Sequence, residues 1–445
     1  MIRNKSKISA SLPDEVLSEY YAIISDKLLC RAPYTSLYFH PDGEVGACCL
    51  NKNSFFYGKY PRNNIEEILN SNRRKLHQGY VKSNNLILGC NVCQENLLAG
   101  NYSGVMSLGY KNQNLKNHIT RIDFELSHQC NLNCIMCERD KGNPVMVYNS
   151  NFIEEIQPLL KNIEYANFIG GEPFLINIYY DIWNIINKIN PKCMINVQTN
   201  GSILNERVIN LLNNRNFLIT ISLDSVNKTS FEKIRRNGNF NTVIKNFHIF
   251  NQNMNGKLKT MQVSVCPLTV NRYEITEIID FANTNYCNVF FNYVDNPKHL
   301  SLKYLSSEKL NETINNYKKY IKDYKLVTPH AKNNLEAIKG LLELLEKWNK
   351  DTVKREHESI EIQRQELVSI FSKIREEQNK EIINELLSIL PKNIKLSKQK
   401  YKDVKSMNID EKLNELKKRN LKKKEILIIA LSFFEFYQFE NDFYE

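Results

Sequence analysis

The sequence has no positively charged start followed by an apolar run and a small-residue cleavage site, and no apolar stretch long enough to span a membrane. Neither export nor membrane insertion is expected, and the chain reads as cytoplasmic with no membrane partner. No segment repeats at a fixed period, and no low-complexity tract stands out beyond a bias toward Asn and Lys. A dominant charge is also missing. The net charge of +11 is modest for 52.2 kDa, so it allows acidic partners without implying nucleic acid. What is present is ordinary globular material: 445 residues, 42% hydrophobic and 10% aromatic, enough for about two or three domains with cores.

Eleven cysteines, an odd number with several in tight clusters, do not form the pattern of a secreted disulfide framework. They read as metal ligands, since a reducing compartment keeps thiols available and thiolate-rich sites select soft or borderline metals.

Four segments are expected along the chain. Residues 1–24 form a polar leader with a helix candidate from Pro13 to Ile24. Residues 25–115 form a small α+β module with strand-like pieces at Ser36 to Phe39 and Glu44 to Cys48 around a Pro41-Asp42-Gly43 turn. Residues 116–300 alternate β-branched runs with helical patterns, the signal for βα units. Six strands are expected: Arg121 to Leu126, Tyr165 to Ile169, Met194 to Gln198, Phe217 to Ser222, Thr260 to Cys266 and Val289 to Val294. Helix candidates between them include Phe152 to Lys161, Tyr179 to Lys188, Thr242 to Asn253 and Glu274 to Asn285. Six units are too few for the usual eight-stranded closure, so the expected fold is α/β, a partial (β/α)6 TIM-like barrel. Residues 301–445 follow as a helical extension, with a lysine-rich stretch from Lys392 to Lys424 and a broken aromatic run beyond it.

The most specific feature is Cys130-Asn131-Leu132-Asn133-Cys134-Ile135-Met136-Cys137, directly after the first barrel strand. A structural zinc or a closed cubane wants four protein ligands, whereas three thiolates at these spacings wrap one face of a cluster and leave one iron open. An open position is what a catalytic site keeps.

This loop resembles that of the radical S-adenosylmethionine (SAM) superfamily, and the resemblance runs from about Arg121 to Val294. Gly170-Gly171-Glu172-Pro173 after the second strand matches the family loop that binds the methionine amino group. Two glycines permit close backbone approach to a ligand, and Glu172 can accept hydrogen bonds from an ammonium. Asn200 after the third strand, and Ser222 and Asp224 at the end of the fourth, stand where the family places polar contacts to SAM; Asn200 and Ser222 also suit turn or strand-end roles. Arg235 offers a forked guanidinium for the SAM carboxylate, its alternative being a surface ion pair. The sixth strand would back the adenine.

Cys30, Cys48, Cys90 and Cys93 form a second set, with seventeen residues between the first two and Asn91-Val92 between the last two. By ligand count alone, zinc and a [4Fe-4S] cluster are comparable. The spacing is similar to the twitch module, the shortened SPASM domain, which implies one auxiliary [4Fe-4S] cluster. Ala99 stands where a longer module would have its next cysteine. Here the module precedes the barrel, which is not its common place. Gly43, five positions before Cys48, favours Cys48 over its neighbour Cys49. Cys193, Cys266 and Cys287 read as buried small hydrophobes, with Cys266, at a strand end, the one to watch.

The resemblance implies reductive cleavage of SAM to a 5′-deoxyadenosyl radical, hydrogen abstraction from a substrate, and an external electron donor such as flavodoxin or ferredoxin. A fully ligated auxiliary cluster implies that the substrate radical also gives up an electron. The substrate is expected to be a ribosomal peptide or a natural-product intermediate, with a small aminosugar-type molecule as the alternative. No leader-peptide-binding domain is evident before Cys30; His330, Trp348 and the run from Phe433 to Tyr444 are candidate recognition residues, with helix packing as their plain reading. From other classes, a non-catalytic electron carrier needs no SAM loop, and an RNA-binding tail lacks a recognisable module.

Overall fold

The computed structural model describes residues 12–377 apart from 52–54, 99, 101, 114, 139–146, 214–215 and 255–260. The chain divides into two compact units, Met1–Glu346 and Lys347–Glu445, and the fold and site below belong to the first. The lysine-rich stretch and the aromatic run from Phe433 to Tyr444 lie outside the described residues, and Trp348 lies in the second unit. Among the described residues no helix is long and apolar enough to cross a membrane.

Eleven strands occur among these residues: β1 (Ser36–Phe39), β2 (Glu44–Gly46), β3 (Gly58–Lys59), β4 (Arg121–Phe124), β5 (Asn133–Cys134), β6 (Tyr165–Phe168), β7 (Met194–Thr199), β8 (Phe217–Ser222), β9 (Arg235–Arg236), β10 (Gln262–Val265) and β11 (Asn288–Phe291). The six strands expected for the barrel are β4, β6, β7, β8, β10 and β11, each parallel to the next. Their sheet runs β11-β10-β8-β7-β6-β4-β1-β2-β3 and ends at β11 and β3. It is the partial barrel of an α/β fold.

The sequence pattern did not show how the cysteine module joins this barrel. Strand β1 pairs in parallel with β4 from Ser36 opposite Arg121 to Phe39 opposite Phe124, and β2 and β3 extend the sheet antiparallel. The two expected segments, 25–115 and 116–300, therefore share one sheet.

Helices α1 (Asp14–Ile24), α2 (Ala32–Thr35), α3 (Ile65–Asn70), α4 (Asn72–Lys82) and α5 (Asn91–Leu98) surround the N-terminal strands. The barrel carries α6 (Ser150–Leu160), α7 (Asn177–Ile189), α8 (Glu206–Leu212), α9 (Lys228–Ile234), α10 (Phe240–Met254) and α11 (Ile275–Thr284), followed by α12 (Ser307–Lys322) and α13 (Pro329–Glu377). Asn64, Asn149, Asn205 and Asn227 each accept backbone N–H groups at the starts of α3, α6, α8 and α9. Part of the asparagine bias thus has a structural use, because a short amide side chain satisfies the orphan donors of a first helical turn.

Successive residues of a strand face opposite sides of the sheet, and here the two sides differ in chemistry. On the helix side Phe39, Phe124 and Phe168 stack in register across β1, β4 and β6, with centroids 5.7 and 4.8 Å apart. Phe152 of α6 and Trp183 of α7 close over the row. On the other side Tyr38, Asp123 and Asn167 occupy the adjacent rung and line the cavity inside the barrel.

At the far edge Asn334 of α13 accepts from Val289 N at 2.7 Å and donates to Cys287 O at 2.9 Å, covering β11. His330, a candidate for substrate recognition, belongs to this cover, its ring nitrogen 3.1 Å from Asn288 Oδ1.

Phe124, fully buried at the centre of the aromatic row, joins the module to the barrel. Phe124→Ala is expected to cost about 3–5 kcal/mol; urea denaturation checks this, and Phe124→Leu should cost less.

Candidate functional site

Past β4 the chain turns into the cysteine loop, which is fastened at three places. Strand β5 pairs antiparallel with β9, setting Cys134 opposite Arg235. Ile135 N donates to Ile234 O at 2.9 Å, and Cys137 N donates to Cys134 O at 3.1 Å. The third fastening is the Gly170–Pro173 loop: Gly171 N donates to Ser127 O and Glu172 N to Gln129 O, at 2.9 and 2.7 Å.

That contact explains both glycines more directly than ligand approach does. A Cβ on Gly171 would stand 1.9 Å from Gln129 O. On Gly170, whose φ is +127°, it would stand 2.5 Å from Ser127 O. Both residues still line the cavity.

Glu172 departs from its expected role as an acceptor for an ammonium. Its fully buried carboxylate accepts from Thr199 Oγ1 at 2.7 Å, Asn200 N at 2.7 Å and Phe174 N at 3.2 Å. It holds the Thr199–Gly201 turn and the Pro173–Leu175 helical turn in place. Burial pushes its carboxyl up to about 7, against the lowering effect of these donors. Asn200, fixed by that brace, lines the cavity and donates to Asn131 Oδ1 at 3.0 Å beside Cys130.

Asp224 and Arg235 also differ from two independent contacts. Asp224 is fully buried and pairs with Arg235 at 2.7 Å while accepting from Cys266 N. It orients the guanidinium. Arg235 lines the cavity, lies 3.8 Å from Cys134 Sγ, and keeps a buried Nε with no hydrogen-bond partner. Ser222, Tyr293 and Val294 complete that wall.

Cys130, Cys134 and Cys137 thus open onto one cavity of about 880 Å³, beside an orphaned buried donor and glycine backbone. Three thiols, a guanidinium and the cavity-lining side-chain amide of Asn200 fit a three-cysteine cluster with an amino-acid-bearing ligand. Among the described residues no three His, Cys, Asp or Glu side chains converge on one point. A cubane does not ask this of its ligands, since each thiolate takes a separate iron.

The second set gathers on α5 and the loops beside α1 and β2. Cys30 and Cys90 each feel Cys48 and Cys93, and burial with this mutual repulsion pushes both thiols up. Cys48 is pushed up to about 12 and Cys93 to about 11, burial again leading. Four thiols that resist ionisation separately suit a multivalent cation that would take them together. Cys49 instead lines the large cavity. Cys193 and Cys287 are buried, and Cys266 reaches the cavity wall.

Sequence reasoning missed several residues here: Tyr38, His40, Arg121, Asp123 and His128 line the cavity, with Glu125 buried beside them. Tyr38 donates to Glu125, which is fully buried; His128 and His40 stand 3.7 and 4.0 Å from the same carboxylate. His40 reaches Asp42 at 3.6 Å, and Asp42 is half exposed. Arg121 grips Asp123 through two hydrogen bonds of 2.8 and 2.9 Å. From Asp123 a hydrogen-bonded chain crosses the sheet through Asn167, Asn196 and Thr220. The signal available was alternation: a polar residue at every second position of β-branched strands marks a wetted inner face.

Residues 124–282 match the radical SAM superfamily, and residues 30–94 match SPASM, an iron-sulfur cluster-binding domain. The chain is a radical SAM enzyme. Its cofactors are SAM and two iron-sulfur clusters, and the SPASM match precedes the radical SAM match in the chain. This radical SAM enzyme is 26% identical over 234 residues to a GTP 3′,8-cyclase of Clostridium perfringens, covering 50% of the chain and 71% of that protein. It is 30% identical over 145 residues to a cysteine-type anaerobic sulfatase-maturating enzyme of Clostridium novyi, 28% of the chain and 38% of the relative. Among solved structures, Streptococcus suis SuiB bound to precursor peptide SuiA gives a TM-score of 0.38 at 16% identity, covering 52% of the chain and 51% of SuiB.

Two outcomes follow for the enzyme's loops. Gly171→Ala cannot keep both loops where they are, so iron bound after anaerobic reconstitution should fall by about four atoms per chain. Glu172 is favoured neutral in the folded state, so its contribution makes stability fall as pH rises from about 4.5 through about 7. Glu172→Gln should flatten that decline, as read from denaturation midpoints across the window.

Proposed function

We propose that this enzyme removes a hydrogen and an electron from a substrate held between its two cysteine sets. The single observation carrying this is the cavity itself: Cys130, Cys134 and Cys137 line it, and so does Cys49, next to Cys48. Cys130, Cys134 and Cys137 would hold the SAM-binding [4Fe-4S] cluster, and Cys30, Cys48, Cys90 and Cys93 the auxiliary one. When bound, the first cluster with SAM supplies a 5′-deoxyadenosyl radical for hydrogen abstraction and the second supplies an electron acceptor.

The chain's own residues orient and shield. Gly170, Gly171, Asn200, Ser222 and Arg235 would surround SAM, while Glu172, Pro173 and Asp224 hold them in position from behind. Loss of an electron as well as a hydrogen atom leaves a proton to remove. Tyr38, which lines the cavity, would take that proton while passing its own to Glu125, and His40 with half-exposed Asp42 would lead it on to solvent. The first reducing electron comes from an external donor such as flavodoxin or ferredoxin.

A peptide is the substrate class that the lining favours. The two guanidiniums facing the cavity, Arg121 and Arg235, are each committed to a buried carboxylate. The inner wall between them is built from amides and hydroxyls, Asn167, Gln198, Ser264 and Asn292, which match peptide groups better than a free polyphosphate. The SuiB complex contains a precursor peptide, and a peptide is proposed here in the same sense. A small natural-product intermediate is the competing substrate.

Anaerobic reconstitution should load about eight irons per chain, and dithionite with SAM should yield 5′-deoxyadenosine; no 5′-deoxyadenosine would identify a carrier instead. Replacing Cys30, Cys48, Cys90 and Cys93 by Ala should remove about half the iron and keep 5′-deoxyadenosine formation. A precursor-like peptide encoded beside the gene should lose two hydrogens by mass spectrometry. Glu125→Gln should then slow that loss by about 10²–10⁴-fold while SAM cleavage continues.

A further inference from the structure

One buried histidine lies against the second cysteine set and is used by nothing described so far. His77 projects from α4, whose first turn is capped by Ser71. Its Nε2 is 3.3 Å from Cys90 Sγ, and its Nδ1 is 2.9 Å from the hydroxyl of Tyr57. His77 is 1% exposed and Tyr57 3% exposed. Phe55 packs edge-on against the imidazole with centroids 5.6 Å apart, and the Tyr57 ring lies 5.9 Å away. Tyr57 is itself anchored, its backbone N–H donating to Val45 O of β2 at 2.7 Å. The ring is therefore held at both nitrogens and on its faces.

We propose that His77 is a positioning residue that sets the reduction potential of the auxiliary cluster by donating its Nε2–H to Cys90 Sγ, with Tyr57 fixing the tautomer. The proposal rests on the reading that Cys30, Cys48, Cys90 and Cys93 hold that cluster. The logic is one of donors and acceptors. A tyrosine hydroxyl has a proton to give, and giving it to Nδ1 leaves the ring proton on Nε2, facing the sulfur. An N–H dipole aimed at a ligating thiolate lowers the energy of the more negative, reduced cluster, and so raises its potential. In a buried site that effect is screened little. A cluster that must take an electron from a substrate radical benefits from such a donor.

The test uses the full-length chain with Cys130, Cys134 and Cys137 replaced by Ala, reconstituted anaerobically with iron and sulfide so that only the auxiliary cluster can form. The readout is a redox titration followed by electron paramagnetic resonance. His77→Leu should shift the midpoint to a more negative potential, and His77→Gln, which restores an N–H donor, should return part of the shift. Tyr57→Phe should shift it in the same direction as His77→Leu. If no cluster forms in the triple-alanine background, the auxiliary-cluster reading itself fails. If a cluster forms and His77→Leu, fully loaded, titrates at the unchanged potential, the role of His77 is overturned. Should His77→Leu lose its iron, Tyr57→Phe decides: an unchanged potential there overturns the proposal.

Discussion

The parallel pairing of β1 with β4 is the contact on which the rest of this molecule depends. Four residues from a small cysteine-bearing module enter the sheet beside the first barrel strand, so the module is part of the barrel wall. The stacked row of Phe39, Phe124 and Phe168 seals that join on the helix side, where burying aromatic surface is strongly favourable. Because strands alternate, the same pairing puts Tyr38 and Asp123 on the inner face. One set of hydrogen bonds thus does two things: it anchors the module, and it gives the cavity a wall made from both segments.

Around the first cysteine loop, the buried ionisable groups neither meet solvent nor bind as isolated contacts. Glu172 ties two turns together, and Asp224 holds Arg235. Removing two charges from water is costly, and such pairs are weak stabilisers of a fold. Their value here is orientation: each fixes a cavity-lining group whose direction would otherwise vary. Gly170 and Gly171 follow the same logic at backbone level, since their missing side chains let one loop rest on the carbonyls of the next.

Much of this architecture was legible in the chain. The six barrel strands stand out because apolar β-branched runs alternate with helical periodicity. The cysteine loop and the Gly-Gly-Glu-Pro run stand out because chemistry at fixed spacing is a local property. The second cysteine set was legible as a set, and its place at residues 30–94 agrees with the iron-sulfur domain match. Less legible was which partner each polar residue would choose. Asp224, eleven positions before Arg235, and Glu172, twenty-eight before Asn200, read equally well as ligands for a cofactor.

By itself, then, the sequence determined the α/β barrel, the two cysteine groups and the class of chemistry, because periodicity and ligand spacing are written along the chain. Only the tertiary structure decided that the upstream module joins the sheet beside β4, that Cys49 lines the cavity, that Glu172 and Asp224 brace other residues, and that Tyr38, Glu125 and His40 meet. The reason is that these are pairings between residues as many as 87 positions apart, as for Tyr38 and Glu125. Such pairings depend on which strands become neighbours, and no local pattern carries that information.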